Sequence, residues 1–124
     1  MVEKEEIIID GSKAGPYSHA LKVGSFIFTS GQVSDDNVVG IRKQTLSVLG
    51  KIKKILNSAG IKITNIVKLT VYLKDINDFK EMNQAYLEFF MENNVKEKFP
   101  ARSTIEAKLV RDDLLIEIDA VAVI

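Results

Sequence analysis

The chain has no cysteine and no tryptophan, one histidine, two prolines and no excess of either charge. Without cysteine there are no disulfides, no thiolate nucleophile and no cysteine-ligated metal. With His19 as the one histidine, a multi-histidine metal site is excluded too. Hydrolysis in such a chain runs without a metal centre or a Ser-His pair, unless His19 itself is the base. Seventeen basic residues balance seventeen acidic ones, so the formal net charge is zero. Phosphate contacts supply most of the affinity for nucleic acids, and a nucleic-acid partner is therefore disfavoured. No apolar run is long enough for a membrane span, and residues 1–6 lack the basic region and apolar stretch of a signal peptide. A cytoplasmic location without membrane association is the expectation.

What is present is a hydrophobic fraction of 46% over 124 residues with no break in composition, enough for one domain, 1–124, with a real core. Residues 7–9 are a β-branched run ending at Asp10-Gly11-Ser12, which reads as a strand and a turn. Residues 20–23 and 26–30 flank Gly24-Ser25, a link suited to a type II′ hairpin. Over 41–59, Leu49, Ile52, Leu56 and Ala59 recur at helical spacing, with Lys51, Lys53 and Lys54 outside and Gly60 as the stop. Residues 66–74 alternate as a strand, with Val67, Leu69, Val71 and Leu73 on one face. Asp78 and Glu81 have capping-box spacing, and Phe79, Met82, Tyr86, Phe89 and Phe90 form the stripe of a second helix reaching about residue 93. Asn83 lies on that stripe, and an asparagine facing a core needs hydrogen-bond partners.

Strands alternating with two helices predict an α+β layer, a mainly antiparallel sheet with both helices on one face. The final strand is apolar on both sides: Ile116, Ile118, Ala120 and Ala122 on one, Leu115, Val121 and Val123 on the other. Two helices cover only one face, so a second chain is expected to cover the other.

The candidate chemistry lies between Phe99 and Ile118. Pro100 fixes its own φ and biases Phe99 towards an extended backbone, so Arg102 in Pro100-Ala101-Arg102-Ser103 is held near a defined strand start. Its guanidinium is either a solvated strand end or a fork for a carboxylate. Glu117 alternates out of phase with Ile116 and Ile118, and on an apolar face it must pair with a cation or carry a raised pKa suited to proton transfer. If 101–109 and 115–123 form a hairpin around Asp112, Arg102 lies opposite roughly Ala122, about 17 Å along the strand from Glu117. Alternatively the two meet across a subunit boundary.

The Pro-Ala-Arg-Ser start, the Ile116-Glu117-Ile118 run, Gly15-Pro16-Tyr17, Ser30-Gly31-Gln32 and the asparagine one turn before Tyr86-x-x-Phe89-Phe90 together resemble the RidA/YjgF family of enamine/imine deaminases. The resemblance covers essentially the whole chain. It departs at residues 34–40, where family members usually have a longer loop. It implies a chorismate-mutase-like fold assembled as a homotrimer, with sites between subunits and no cofactor or metal. It also implies hydrolytic deamination of 2-aminoacrylate-like enamine/imine acids to 2-keto acids. Arg102 would hold the substrate carboxylate and Glu117 would position water and shuttle a proton. Tyr17, Ser30, Asn83 and the backbone at Thr104 would complete the substrate site. Read without the resemblance, Tyr17 fills core, Ser30 forms a turn and Asn83 bridges to backbone. A non-catalytic, chaperone-like carboxylate-binding trimer and a ribonuclease or translation inhibitor are the alternative functions.

Overall fold

The structure, a computed structural model, describes residues 2–9, 13 and 15–124. Among these, six strands form one sheet: β1 (Glu5–Ile7), β2 (Ala20–Val23), β3 (Phe26–Thr29), β4 (Ile66–Leu73), β5 (Ala101–Glu106) and β6 (Ile116–Val123), in the order β1-β2-β3-β6-β4-β5. Two helices, α1 (Ile41–Ser58) and α2 (Phe79–Glu92), connect β3 to β4 and β4 to β5. All pairings are antiparallel except β4 with β5. The result is the expected α+β layer, two helices on one face of a mainly antiparallel sheet, in the chorismate-mutase-like arrangement.

The helices pack on one sheet face because their stripes match its buried side. Val48, Leu49, Ile52, Ile55 and Leu56 of α1, and Met82, Ala85, Tyr86, Phe89 and Phe90 of α2, close over Leu69, Val71 and Leu73 of β4. Ile116, Ile118, Ala120 and Ala122 of β6 complete that layer. Fully burying each Val, Leu, Ile, Met or Phe among them contributes about 1.5–3 kcal/mol, so this one-sided core is the principal driving force for the fold. At Gly24-Ser25 only the glycine has positive φ, 59°, as a type II′ turn requires.

Several sequence expectations are corrected. The hairpin of residues 101–109 with 115–123, one of the two arrangements open from the sequence, does not form. β5 instead runs parallel to β4 through the α2 crossover, and β6 inserts between β3 and β4. The physical reason is the β4-α2-β5 unit: a helix crossover returns the chain parallel to its start, and the outer edge of β4 receives it. The first strand is Glu5–Ile7 rather than 7–9, and the turn expected at Asp10-Gly11-Ser12 lies outside the described residues. In β4 a bulge between Ile66 and Lys68 breaks the alternation, burying Ile66 and leaving Val67 45% exposed. Asp78 makes no side-chain cap. Asp75 caps instead, accepting from Asn77 N–H at 2.9 Å to start a 3₁₀ turn, Ile76–Asp78, that leads into α2.

The opposite sheet face is open. Phe26 and Phe28 stack on it with ring centroids 6.1 Å apart, each nearly half exposed. They sit beside their register partners Val123 and Val121 of β6, which are half-buried.

Candidate functional site

Arg102 stands opposite Leu69 in the β4-β5 register, and Leu69 is fully buried beneath the helices. Residues paired in register share a sheet face, so Arg102 projects to the helix side, at the edge where α2 ends its cover. Its guanidinium carbon lies 4.7 Å from the Tyr86 ring centroid and 5.5 Å from that of Phe79. Among the described residues no carboxylate pairs with it. It lines a cavity of about 370 Å³ together with Asn83, Tyr86, Leu87, Phe99 and Pro100.

Asn83 is exposed at this cavity rather than turned into the core, which corrects the sequence expectation of an asparagine facing the core. Thr104, two residues beyond Arg102 on the same face, has a buried Oγ1 without a hydrogen-bond partner. Ala107 N–H donates to Leu73 O at 2.8 Å. By alternation residues 101, 103 and 105 also turn their backbone groups to β4, while those of Arg102 and Thr104 face the free edge of the sheet.

Ser30 and Glu117 lie elsewhere, with Tyr17 on the segment tied to Ser30. Glu117 pairs in register with Tyr72 on the open sheet face. Gln32 joins β6 through two backbone bonds with Ile118, at 2.8 and 3.1 Å, which brings Gly31 against the Glu117 side chain. A Cβ on Gly31 would lie 2.2 Å from Glu117 Oε2. Ser30 N–H donates to His19 O at 2.9 Å and its hydroxyl donates to Ser18 O, which ties the strand end to the segment carrying Tyr17. Glu117 makes no ion pair among the described residues, so the lysine pairing open at the sequence level is not observed. Its pKa is raised, first because burial disfavours the charged form and second because Asp119 lies nearby.

Within one chain these two groups do not form one site. From Leu69, the partner of Arg102, to Tyr72, the partner of Glu117, is three residues, an odd number, and puts the two side chains on opposite faces of the sheet. Three residues along and two strand spacings across separate them by about 14 Å. One half offers a carboxylate-binding fork and the other a carboxylate suited to proton transfer. No group of three or more His, Asp or Glu side chains arranged for a metal occurs among the described residues.

Two contributors lay outside the sequence candidates. Gly31 leaves the space that Glu117 occupies. Tyr86 reads as one more member of an apolar stripe, yet its hydroxyl is buried and its pKa is pushed up to about 12 by burial, with the charge and hydrogen bonding of Arg102 opposing. A hydroxyl-bearing residue in an otherwise apolar stripe, one turn from Asn83, was the available signal.

The family profile described as Endoribonuclease L-PSP matches residues 10–124. A RutC family protein of Pyrococcus abyssi is 46% identical over 114 residues, covering 87% of this chain and 86% of its own. The 2-iminobutanoate/2-iminopropanoate deaminase of Salmonella typhimurium is 41% identical, with 88% of each chain covered. Among solved structures, Escherichia coli TdcF with bound serine superposes with a TM-score of 0.88 at 31% identity, covering 97% of this chain and 98% of that one. The E. coli YjgF gene product gives 0.87 at 36% identity, covering 96% and 98%.

Proposed function

This chain belongs to the YjgF/RidA family, and on that premise we propose that it hydrolyses 2-aminoacrylate-like enamine and imine acids to 2-keto acids and ammonia. The working form is a homotrimer with its sites between subunits. Relatives about 40% identical carry the deaminase name, while RutC-named relatives of up to 46% identity carry no activity in theirs, so the substrate rests on the site.

The reading is carried by the state of the two charged groups. Among the described residues Arg102 has no counter-ion at its cavity and Glu117 has none on its face. A substrate with a carboxylate at one end and a protonatable imine at the other uses both. The enamine tautomerises to the imine, whose C=N carbon is already electrophilic. Arg102 of one subunit holds the carboxylate through two parallel N–H···O bonds. Glu117 of a neighbouring subunit takes a proton from water as its oxygen bonds to the imine carbon and passes it to nitrogen, giving the carbinolamine; a second transfer moves the hydroxyl proton to nitrogen as the C–N bond breaks, so that C=O forms and ammonia leaves. Ser30 stands on the Glu117 side with Tyr17 on the segment tied to it, and Asn83 and the edge backbone of Thr104 are on the Arg102 side. The exposed pair Phe26 and Phe28 gives the open face an apolar surface for a second chain.

The test is ammonia and 2-keto acid release from 2-aminoacrylate generated in place by a dehydratase acting on serine. Accelerated release above the spontaneous rate supports the proposal, and binding of 2-keto acids without acceleration leaves a carboxylate-binding protein. The match to the Endoribonuclease L-PSP profile favours one second reading, ribonuclease activity. The zero net charge weighs against it, and RNA cleavage falling steeply with salt would establish it.

A further inference from the structure

Arg102 is held in an unusual manner for a cation at the edge of a core. Its guanidinium lies against two rings of α2, Tyr86 at 4.7 Å and Phe79 at 5.5 Å, and no acidic side chain among the described residues touches it. Tyr86 and Phe79 are seven residues, two helical turns, apart, and so share the face of α2 that meets β5. The two rings differ in setting: Tyr86 is 5% exposed and Phe79 40%. The Tyr86 ring is itself fixed by Phe90, 4.6 Å away between centroids, and Phe90 by Phe89 at 5.8 Å. A chain of packed aromatics thus runs from the core to the guanidinium.

The Tyr86 hydroxyl is sealed from solvent, and the group that bears on it is Arg102 itself, whose charge and hydrogen bonding oppose the rise that burial gives its pKa. A carboxylate in the same position would fix Arg102 equally well but would neutralise it. A phenol whose pKa is pushed up to about 12 stays uncharged at every physiological pH and leaves the positive charge to a ligand.

We propose that Tyr86, assisted by Phe79, is a positioning residue of the carboxylate site, a neutral aromatic clamp that orients the Arg102 guanidinium towards the cavity without neutralising it. This rests on the reading of Arg102 as the carboxylate fork. It implies that the site discriminates for the carboxylate end of the substrate through a residue that does not touch it. Removing the ring frees the guanidinium to rotate, and binding the carboxylate must then order it again.

The test uses the full-length protein with Tyr86→Phe, Tyr86→Leu and Phe79→Leu. Calorimetry reads affinity for 2-oxobutanoate and for its uncharged amide, and NMR reads the Arg102 Nε–H resonance, assigned by its loss in Arg102→Lys. Tyr86→Leu should weaken 2-oxobutanoate by roughly 10- to 30-fold, the range of a desolvated cation–π contact, and barely change the amide. In kinetics the loss should fall on KM, with kcat within about 3-fold. Tyr86→Phe should rescue affinity to within about 2-fold. The ring-current shift of Nε–H should persist in Tyr86→Phe and vanish in Tyr86→Leu. Should Tyr86→Leu not fold, Phe79→Leu at the exposed side of the clamp should show the same pattern at roughly 2- to 5-fold. The clamp is refuted if Tyr86→Leu keeps wild-type affinity, if Tyr86→Phe loses as much as Tyr86→Leu, or if keto acid and amide weaken together. An NMR signature as expected, with no binding of 2-oxobutanoate by the wild type, would retain the clamp and refute the carboxylate fork.

Discussion

Replacing Gly31 with alanine adds one methyl group at the point where Glu117 lies closest to the backbone. The new Cβ would stand 2.2 Å from Oε2, 2.8 Å from Cδ and 3.1 Å from Cγ of Glu117, whereas ordinary contact begins at 3.4 Å. The carboxylate must therefore retreat by about 1.2 Å, since 3.4 less 2.2 is 1.2. The atoms that must move are the end of a flexible side chain, and Gly31 is not among the positive-φ glycines, so the backbone accepts alanine. Stability should change little, within about 0.5 kcal/mol. Activity should not be spared, because a misplacement of about 1 Å costs about 10²-fold, or about 2.7 kcal/mol of transition-state stabilisation. The assay is ammonia release from freshly generated 2-aminoacrylate, with thermal unfolding as the stability control. In a Glu117→Ala background the same Gly31→Ala change should cost nothing further, since the displaced group is gone. Full activity in Gly31→Ala, or equal losses in both backgrounds, would refute the placement of Glu117 in the chemistry.

Arg102→Lys keeps the charge but removes the planar fork, so kcat/KM should fall by roughly two orders of magnitude or more, as measured with the same enamine. Glu117→Gln removes the proton acceptor and should lower kcat by roughly 10²- to 10⁴-fold while calorimetric binding of a 2-keto acid persists. With the ionised form of Glu117 as the proposed base, activity should fall as pH drops through a pKa that burial and Asp119 hold above the usual glutamate value. Asp119→Asn removes the charge that adds to that shift and should move the acid limb of the pH–kcat profile to lower pH; an unmoved limb would mean that another group titrates.

The helices were legible because a 3.6-residue stripe is a local property, and α1 and the stripe of α2 fall where Leu49, Ile52, Leu56, Met82, Phe89 and Phe90 repeat. The Gly24-Ser25 hairpin was legible for the same reason, since turn chemistry is written into adjacent residues. Strand neighbours were not. Alternation tells which side of a strand is buried but not which strand lies beside it, and the hairpin that consecutive β5 and β6 left open is replaced by a parallel β4-β5 pair. That single topological fact decides the site, because it sets Arg102 and Glu117 three register positions apart and on opposite faces. The bulge at Val67 and the cap at Asp75 lay in geometry that composition does not encode. Gly31 and Tyr86 escaped because their parts depend on a neighbour distant in sequence, Glu117 for one and Arg102 for the other.

Two inactive variants, Arg102→Ala and Glu117→Ala, provide a direct measurement of whether the two halves belong to different subunits. The purified variants are mixed in equal amounts, dissociated and reassembled, and assayed for 2-aminoacrylate hydrolysis. If each site takes Arg102 from one chain and Glu117 from the next, random reassembly into trimers leaves about one site in four with both groups intact, and activity should return to about a quarter of wild type. Activity that stays at the level of the separate variants, with mixed trimers demonstrated by mass spectrometry, would contradict a site shared between subunits.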